Sequence, residues 1–159
     1  MWQRVWHRMT LLKACTLKRI PLNLIDMRST SLSRYGFVVW LPFNWEGERA
    51  LLAALPLRPG VYALRRTVDY RLSVGTSDIV YIGSATSRGG LRKRLYQYFH
   101  PGSTERINGR ILRRETSSTE LQVSFSVAES EADAETLKAS LLARYESEHG
   151  QLPPENRRH

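Results

Sequence analysis

One cysteine, Cys15, stands in 159 residues, so no intrachain disulfide can form and a reduced, intracellular setting is the expectation. The four histidines, at 7, 100, 149 and 159, show no zinc-type pairing with it. No apolar run approaches the roughly 20 residues that a membrane-spanning helix needs, so no membrane partner is expected. Neither a helix-turn-helix nor a zinc-finger pattern is present, so base-specific contacts cannot be assigned. Acids are scarce at one end: residues 1 to 36 hold seven bases against Asp26, a net of +6, and show no sustained apolar period. That stretch is expected to be a basic, poorly ordered extension. A mitochondrial-type targeting peptide, a start upstream of the true one with Met27 as the later start, and a trailing DNA-binding arm all fit it.

What remains, residues 37 to 159, suits one compact domain with a modest core. The whole chain carries +9, and residues 88 to 114 concentrate eight bases against Glu105, a net of +7. A block of that sign suits a polyanion such as DNA or RNA, because bound lysine and arginine release condensed counterions. A solubilising surface is the bland alternative.

Gly60 follows Pro59, a turn signal, and Val61 to Leu64 and Ile79 to Ile82 are short β-prone runs. The polar connection from Asp69 to Asp78, with Gly75, is too short for a parallel crossover, so an antiparallel hairpin over 60–83 is predicted. After a small-residue loop, apolar residues at 91, 95, 98 and 99 set a helical period, with Arg94 at the margin of the apolar face and Lys93 pointing away. A second basic helix is predicted from about Thr104 to Arg114, with Arg106, Arg110 and Arg113 on one side as phosphate-tracking bases alongside Arg92 and Lys93. Leu121 to Val127 alternates as a third strand, and Glu129 to His149 is a long acidic helix stopped by Gly150. Phe37 to Phe43, with Pro42 near its end, is an edge strand or a packed extended arm. The fold class expected is α+β, a small central three-stranded antiparallel sheet flanked by helices.

Gly60-Val61-Tyr62, Tyr81-Ile82-Gly83, Leu91-x-x-Arg94-Leu95-x-x-Tyr98-Phe99 and Pro154-x-Asn156 occur in that order, and together they resemble the GIY-YIG nuclease domain of homing, restriction and excision-repair incision nucleases. The resemblance covers roughly residues 58 to 158. It implies an endonuclease that hydrolyses DNA phosphodiester bonds with Mg²⁺ or Mn²⁺. Tyr81 would be general base or water-orienting phenol, Tyr62 would support substrate or water, Arg94 would bind the scissile phosphate, Tyr98 would flank it and Asn156 would brace the site. A phenol of pKa near 10 is a poor base at neutral pH, so Tyr81 needs a cationic neighbour.

The long acidic helix departs from the family pattern. The family's single metal-binding glutamate stands three residues before an apolar pair, and here Lys138 precedes Leu141-Leu142 at that spacing. The helical wheel places Lys138 among Ala134, Leu141, Leu142 and Tyr145, on the inward side. A unit charge at 4 Å from another costs roughly 4 kcal/mol at an effective dielectric near 20, and a divalent ion doubles that. Three arrangements stay open: Glu135, one turn earlier, reaches the metal; Lys138 itself replaces the cation and holds phosphate; or the chain binds nucleic acid as a catalytically impaired module.

Overall fold

The computed structural model describes residues 28–102, Ile111 and residues 120–156. They form an α+β unit: a four-stranded antiparallel sheet of order β1-β4-β2-β3, with β1 Leu41–Pro42, β2 Gly60–Arg71, β3 Thr76–Ala85 and β4 Leu121–Val127. Three helices flank it, α1 Glu48–Ala54, α2 Gly90–Phe99 and α3 Glu131–His149. Among the described residues no helix is long and apolar enough to cross a membrane.

The three-stranded expectation is corrected to four. Leu41 and Pro42 pair with Val123 and Gln122 at the sheet edge, and the Phe43 amide donates to the Leu121 carbonyl at 2.8 Å. Two residues, one of them a proline without an N–H, leave no alternation to read in sequence, yet an edge position tolerates both. The hairpin also runs longer than its β-prone runs. The strands continue through the polar residues to Arg71 and Thr76 and close in a turn where Gly75 has φ 72°. Register shifts between Leu64 and Arg65, and again before Tyr70, bend the far end.

Alternation along β2 separates two cores, because successive side chains leave opposite faces of a strand. Tyr62 and Leu64 pack with Leu51 and Leu55 on the α1 side and with Leu91, Leu95 and Tyr98 of α2. Val61 and Ala63 face the other way, onto Ala134, Leu141 and Tyr145 of α3. Each buried leucine or aromatic in these clusters contributes roughly 1.5–3 kcal/mol. The α3 start is fixed by Ser130, whose Oγ accepts from the Asp133 amide at 3.1 Å, and its end by Gly150 at φ 68°.

The expected basic extension has to be divided. Residues 1–27 lie outside the described residues, whereas residues 28–36 belong to the packed unit. Ser31–Tyr35 is a 3₁₀ turn whose Leu32 is fully buried against the α3 side. The Ser29 amide donates to Asp78 Oδ1 at 2.9 Å, its hydroxyl donates to Oδ2, and Arg65 donates to the Ser29 Oγ at 2.6 Å. A single-turn element anchored by one leucine has no period for sequence reading to detect.

Finally, the C-terminal tail lies along β3. The Glu155 amide donates to the Val80 carbonyl at 3.0 Å. Asn156 completes the contact, accepting from the Ile82 amide at 2.9 Å and donating to the Ile82 carbonyl at 2.8 Å. Its side chain thereby pairs with the strand as a neighbouring backbone would.

Candidate functional site

Gly83 explains how two tyrosines from adjacent strands meet. Tyr62 lies directly opposite Gly83 in the β2–β3 register. A Cβ at Gly83 would stand 2.5 Å from the Tyr62 Cζ and hydroxyl and 2.7 Å from Tyr81 Cε1. The missing side chain is therefore the space in which the Tyr62 phenol lies. The two rings sit 6.0 Å apart, tilted at 43°.

Helix α2 brings the other partners. Its first amides are already engaged: Leu91 donates to the Arg58 carbonyl at 2.9 Å and Arg92 to the Pro56 carbonyl at 3.2 Å, so this helix start offers no anion site. That stitching fixes the helix rotation, with Leu91, Leu95 and Tyr98 inward and Arg94 at their margin. The Tyr62 and Tyr98 hydroxyls are 2.9 Å apart, and Arg94 Nε donates to the Tyr62 hydroxyl at 3.2 Å. Tyr62 accepts from Arg94, and either hydroxyl of the Tyr62–Tyr98 pair can donate to the other. The Tyr98 ring meets Tyr62 edge-on at 88° and lies under the Arg94 guanidinium, 5.9 Å from its centroid.

Burial fixes the protonation states. Desolvation pushes the Tyr62 phenol well above its ordinary value, and the nearby Tyr81 adds to that rise. Tyr98 moves the same way, again through desolvation first and the Tyr62 and Tyr81 phenols second. Both are neutral hydrogen-bonding groups at any physiological pH and neither is a general base. Burial opposes the Arg94 charge, but the surrounding phenol oxygens more than offset it, and the guanidinium stays charged.

The remaining sequence-derived residues divide clearly. Tyr81 is almost buried beside Tyr62. Arg92 sends its Nε to the Leu55 carbonyl at 2.9 Å, tying α2 to the end of α1, so this group serves packing as well as charge. Lys93 is exposed, as the helical wheel requires. Arg106, Arg110 and Arg113 lie outside the described residues. Asn156 spends its amide on the Ile82 backbone and so holds Tyr81-Ile82-Gly83 in place from behind; it is a positioning residue.

Glu135 and Lys138 belong to α3, the helix that packs on the opposite face from Tyr62 and Tyr98. They reach the site strand through Ser84, whose hydroxyl donates to Glu135 Oε1 at 2.5 Å. Lys138 Nζ stands 3.4 Å from the other oxygen, Oε2. The Ser84 hydroxyl first, with the Lys138 ammonium contributing, holds the Glu135 carboxyl below its ordinary value against an opposing desolvation. Against the inward position that the helical wheel predicts, Lys138 lies at the margin of the buried face, its side chain 31% exposed, because its long stem carries the ammonium outward to Glu135.

At Glu135 a divalent cation would meet the like charge of the Lys138 ammonium. Both Glu135 oxygens already accept, one of them from an ammonium. No group of three or more His, Cys, Asp or Glu that could hold a metal gathers among the described residues. In sequence Ser84 falls in the small-residue loop after Gly83, whereas β3 extends through Ala85. The signal available was its period-2 relation to Ile82, which places both side chains on the α3 face.

The cluster that the fold assembles is therefore a guanidinium and two neutral phenols in hydrogen-bonded series, with a third tyrosine alongside and an ammonium–carboxylate pair across the strand. No family model, curated protein or solved structure matches this chain.

Proposed function

We propose that this chain is a GIY-YIG-type domain that binds DNA and hydrolyses its phosphodiester bonds. The observation that carries the reading is the Arg94–Tyr62–Tyr98 series, in which a half-buried guanidinium is fixed by two phenols beside Tyr81. A planar, permanently charged fork suits the non-bridging oxygens of a phosphodiester, and its pre-orientation lowers the entropic cost of binding. In this reading Arg94 holds the phosphate and offsets the charge that grows on it as water attacks. Tyr81 orients the water. Tyr62 and Tyr98, kept neutral by burial, fix the guanidinium and do not take the proton. Asn156 keeps the strand carrying Tyr81 from shifting.

A second reading, a nucleic-acid-binding module that does not cut, is favoured by one observation: the Glu135 carboxylate is paired with Lys138. Incubation of the protein with supercoiled plasmid and with branched and single-stranded DNA, in Mg²⁺, in Mn²⁺ and in EDTA, separates the two. Nicking that Arg94→Ala abolishes, with the thermal melt unchanged, is the expected result. Salt-sensitive binding without nicking in any condition would leave only the binding module.

A further inference from the structure

We infer that the outward face of α2, with Trp45 at its end, is a stacking platform for unpaired bases, so that the DNA this chain takes contains a single-stranded stretch. The inference rests on the nucleic-acid reading above and narrows its substrate class; it concerns a surface apart from the Arg94 cluster.

Lys93, Tyr96 and His100 are the exposed residues of α2 and its C-terminal cap, and their spacing of three and four puts them on one stripe. The Tyr96 and His100 rings are stacked, with centroids 4.3 Å apart and planes at 26°. His100 Nε2 donates to the Glu48 carboxylate at 2.6 Å, so α1 holds the imidazole and the imidazole holds the Tyr96 ring. Tyr96 nevertheless stays 46% exposed. Trp45, 51% exposed, sets its indole edge-on to Phe99 at 5.3 Å, and Phe99 directly precedes His100. Both open rings therefore lie towards the C-terminal end of α2. Large rings left half in solvent yet immobilised by their neighbours offer flat faces that lose little freedom on binding. Charge says what those faces take. Helix α2 carries Arg92, Lys93 and Arg94 and no acid, and Lys93 stands one turn before Tyr96 on the stripe. The fitting partner is a polyanion that also presents π-faces, which is a nucleic acid strand. In a duplex each base face is covered by the next base pair, so only an unpaired stretch can stack on Tyr96 and Trp45.

The test uses the full chain in EDTA, with a fluorescein-labelled thymidine oligomer and a duplex of equal length, and reads affinity by anisotropy over a range of salt. Tyr96→Ala and Trp45→Ala are each expected to weaken oligomer binding about tenfold and to leave duplex binding unchanged, while Tyr96→Phe and Trp45→Phe, which keep a ring, retain most of it. The oligomer should quench tryptophan fluorescence in wild type and quench it less in Trp45→Phe. Thermal melts exclude misfolding as the cause; Tyr96, which belongs to neither core cluster, gives the reading even where Trp45→Ala disturbs Phe99. Oligomer affinity that both alanine variants leave unaltered, or one that falls no further than duplex affinity, would overturn the inference and leave the nucleic-acid reading standing. Tyr96-dependent binding of polyglutamate in place of the oligomer would assign the stripe to an acidic protein and overturn it too. Absence of any salt-dependent affinity for either DNA would overturn both.

Discussion

Gly83 and Tyr62 share one volume: the phenol of the tyrosine passes 2.5 Å from the point where a side chain on the glycine would begin. Gly83→Ala is therefore expected to destabilise the fold by about 1–3 kcal/mol through overpacking, and to push Tyr62 off Arg94 and Tyr98. Urea unfolding measures the first effect. The second predicts that DNA affinity falls further than the stability loss accounts for, and an unchanged affinity would dissociate the tyrosine series from binding.

The two buried phenols make stability sensitive to alkali. Their folded-state pKa values are raised above the ordinary phenol value near 10, so the stabilisation is fully present below that pH. It is lost as pH rises past 10, because the unfolded chain releases these protons first. Melting temperature followed from neutral to strongly alkaline pH should decline, and Tyr62→Phe with Tyr98→Phe should flatten that decline. A decline of equal steepness in the double variant would assign it to other groups.

Asn156→Asp tests the clasp on β3. The change removes the N–H that donates to the Ile82 carbonyl at 2.8 Å and brings a carboxylate oxygen towards that carbonyl. A loss of about 1–3 kcal/mol is expected at neutral pH. Burial and the facing carbonyl raise the new carboxyl's pKa in the folded state, so stability should recover as pH falls, when the protonated acid can donate again. Denaturant midpoints at acid and neutral pH give both readings.

Lys138→Glu replaces the ammonium beside Glu135 by a second carboxylate one turn away. Affinity for Mn²⁺ is expected to rise above that of wild type, because the like charge is removed and a second carboxylate is added. Paramagnetic resonance titration reads it. No Mn²⁺ uptake by the variant would mean that these two positions do not point to a common volume.

Much of the architecture was legible because it rests on periodic features. The β-prone runs Val61 to Leu64 and Ile79 to Ile82, the helical spacing of Leu91, Leu95 and Tyr98, and the Gly150 end of α3 are local signals with local causes, whereas the Ser130 cap of α3, which starts the helix two residues past the expected Glu129, is seen only in the structure. The placement of Arg94 at the edge of its helix's apolar face followed from the same arithmetic, and its hydrogen bond to Tyr62 is the consequence. Features set by distant partners were not legible. Leu41–Pro42 becomes a strand because β4 lies beside it, Ser29 is held by Asp78 and Arg65, and Lys138 turns outward to Glu135, itself held by Ser84.

The two margins of the sheet share a property with a practical consequence. On one side the outermost strand is two residues long and ends in proline; on the other, the Val80 and Ile82 backbone groups are taken up by Glu155 and Asn156. Among the described residues the Val80 carbonyl and both Ile82 backbone groups, in the middle of β3, are thereby withheld from a second molecule, and strand addition at that point is opposed while the tail is intact. Cutting the chain before Pro153 would expose a ready template, and aggregation during storage or refolding would follow from that loss alone.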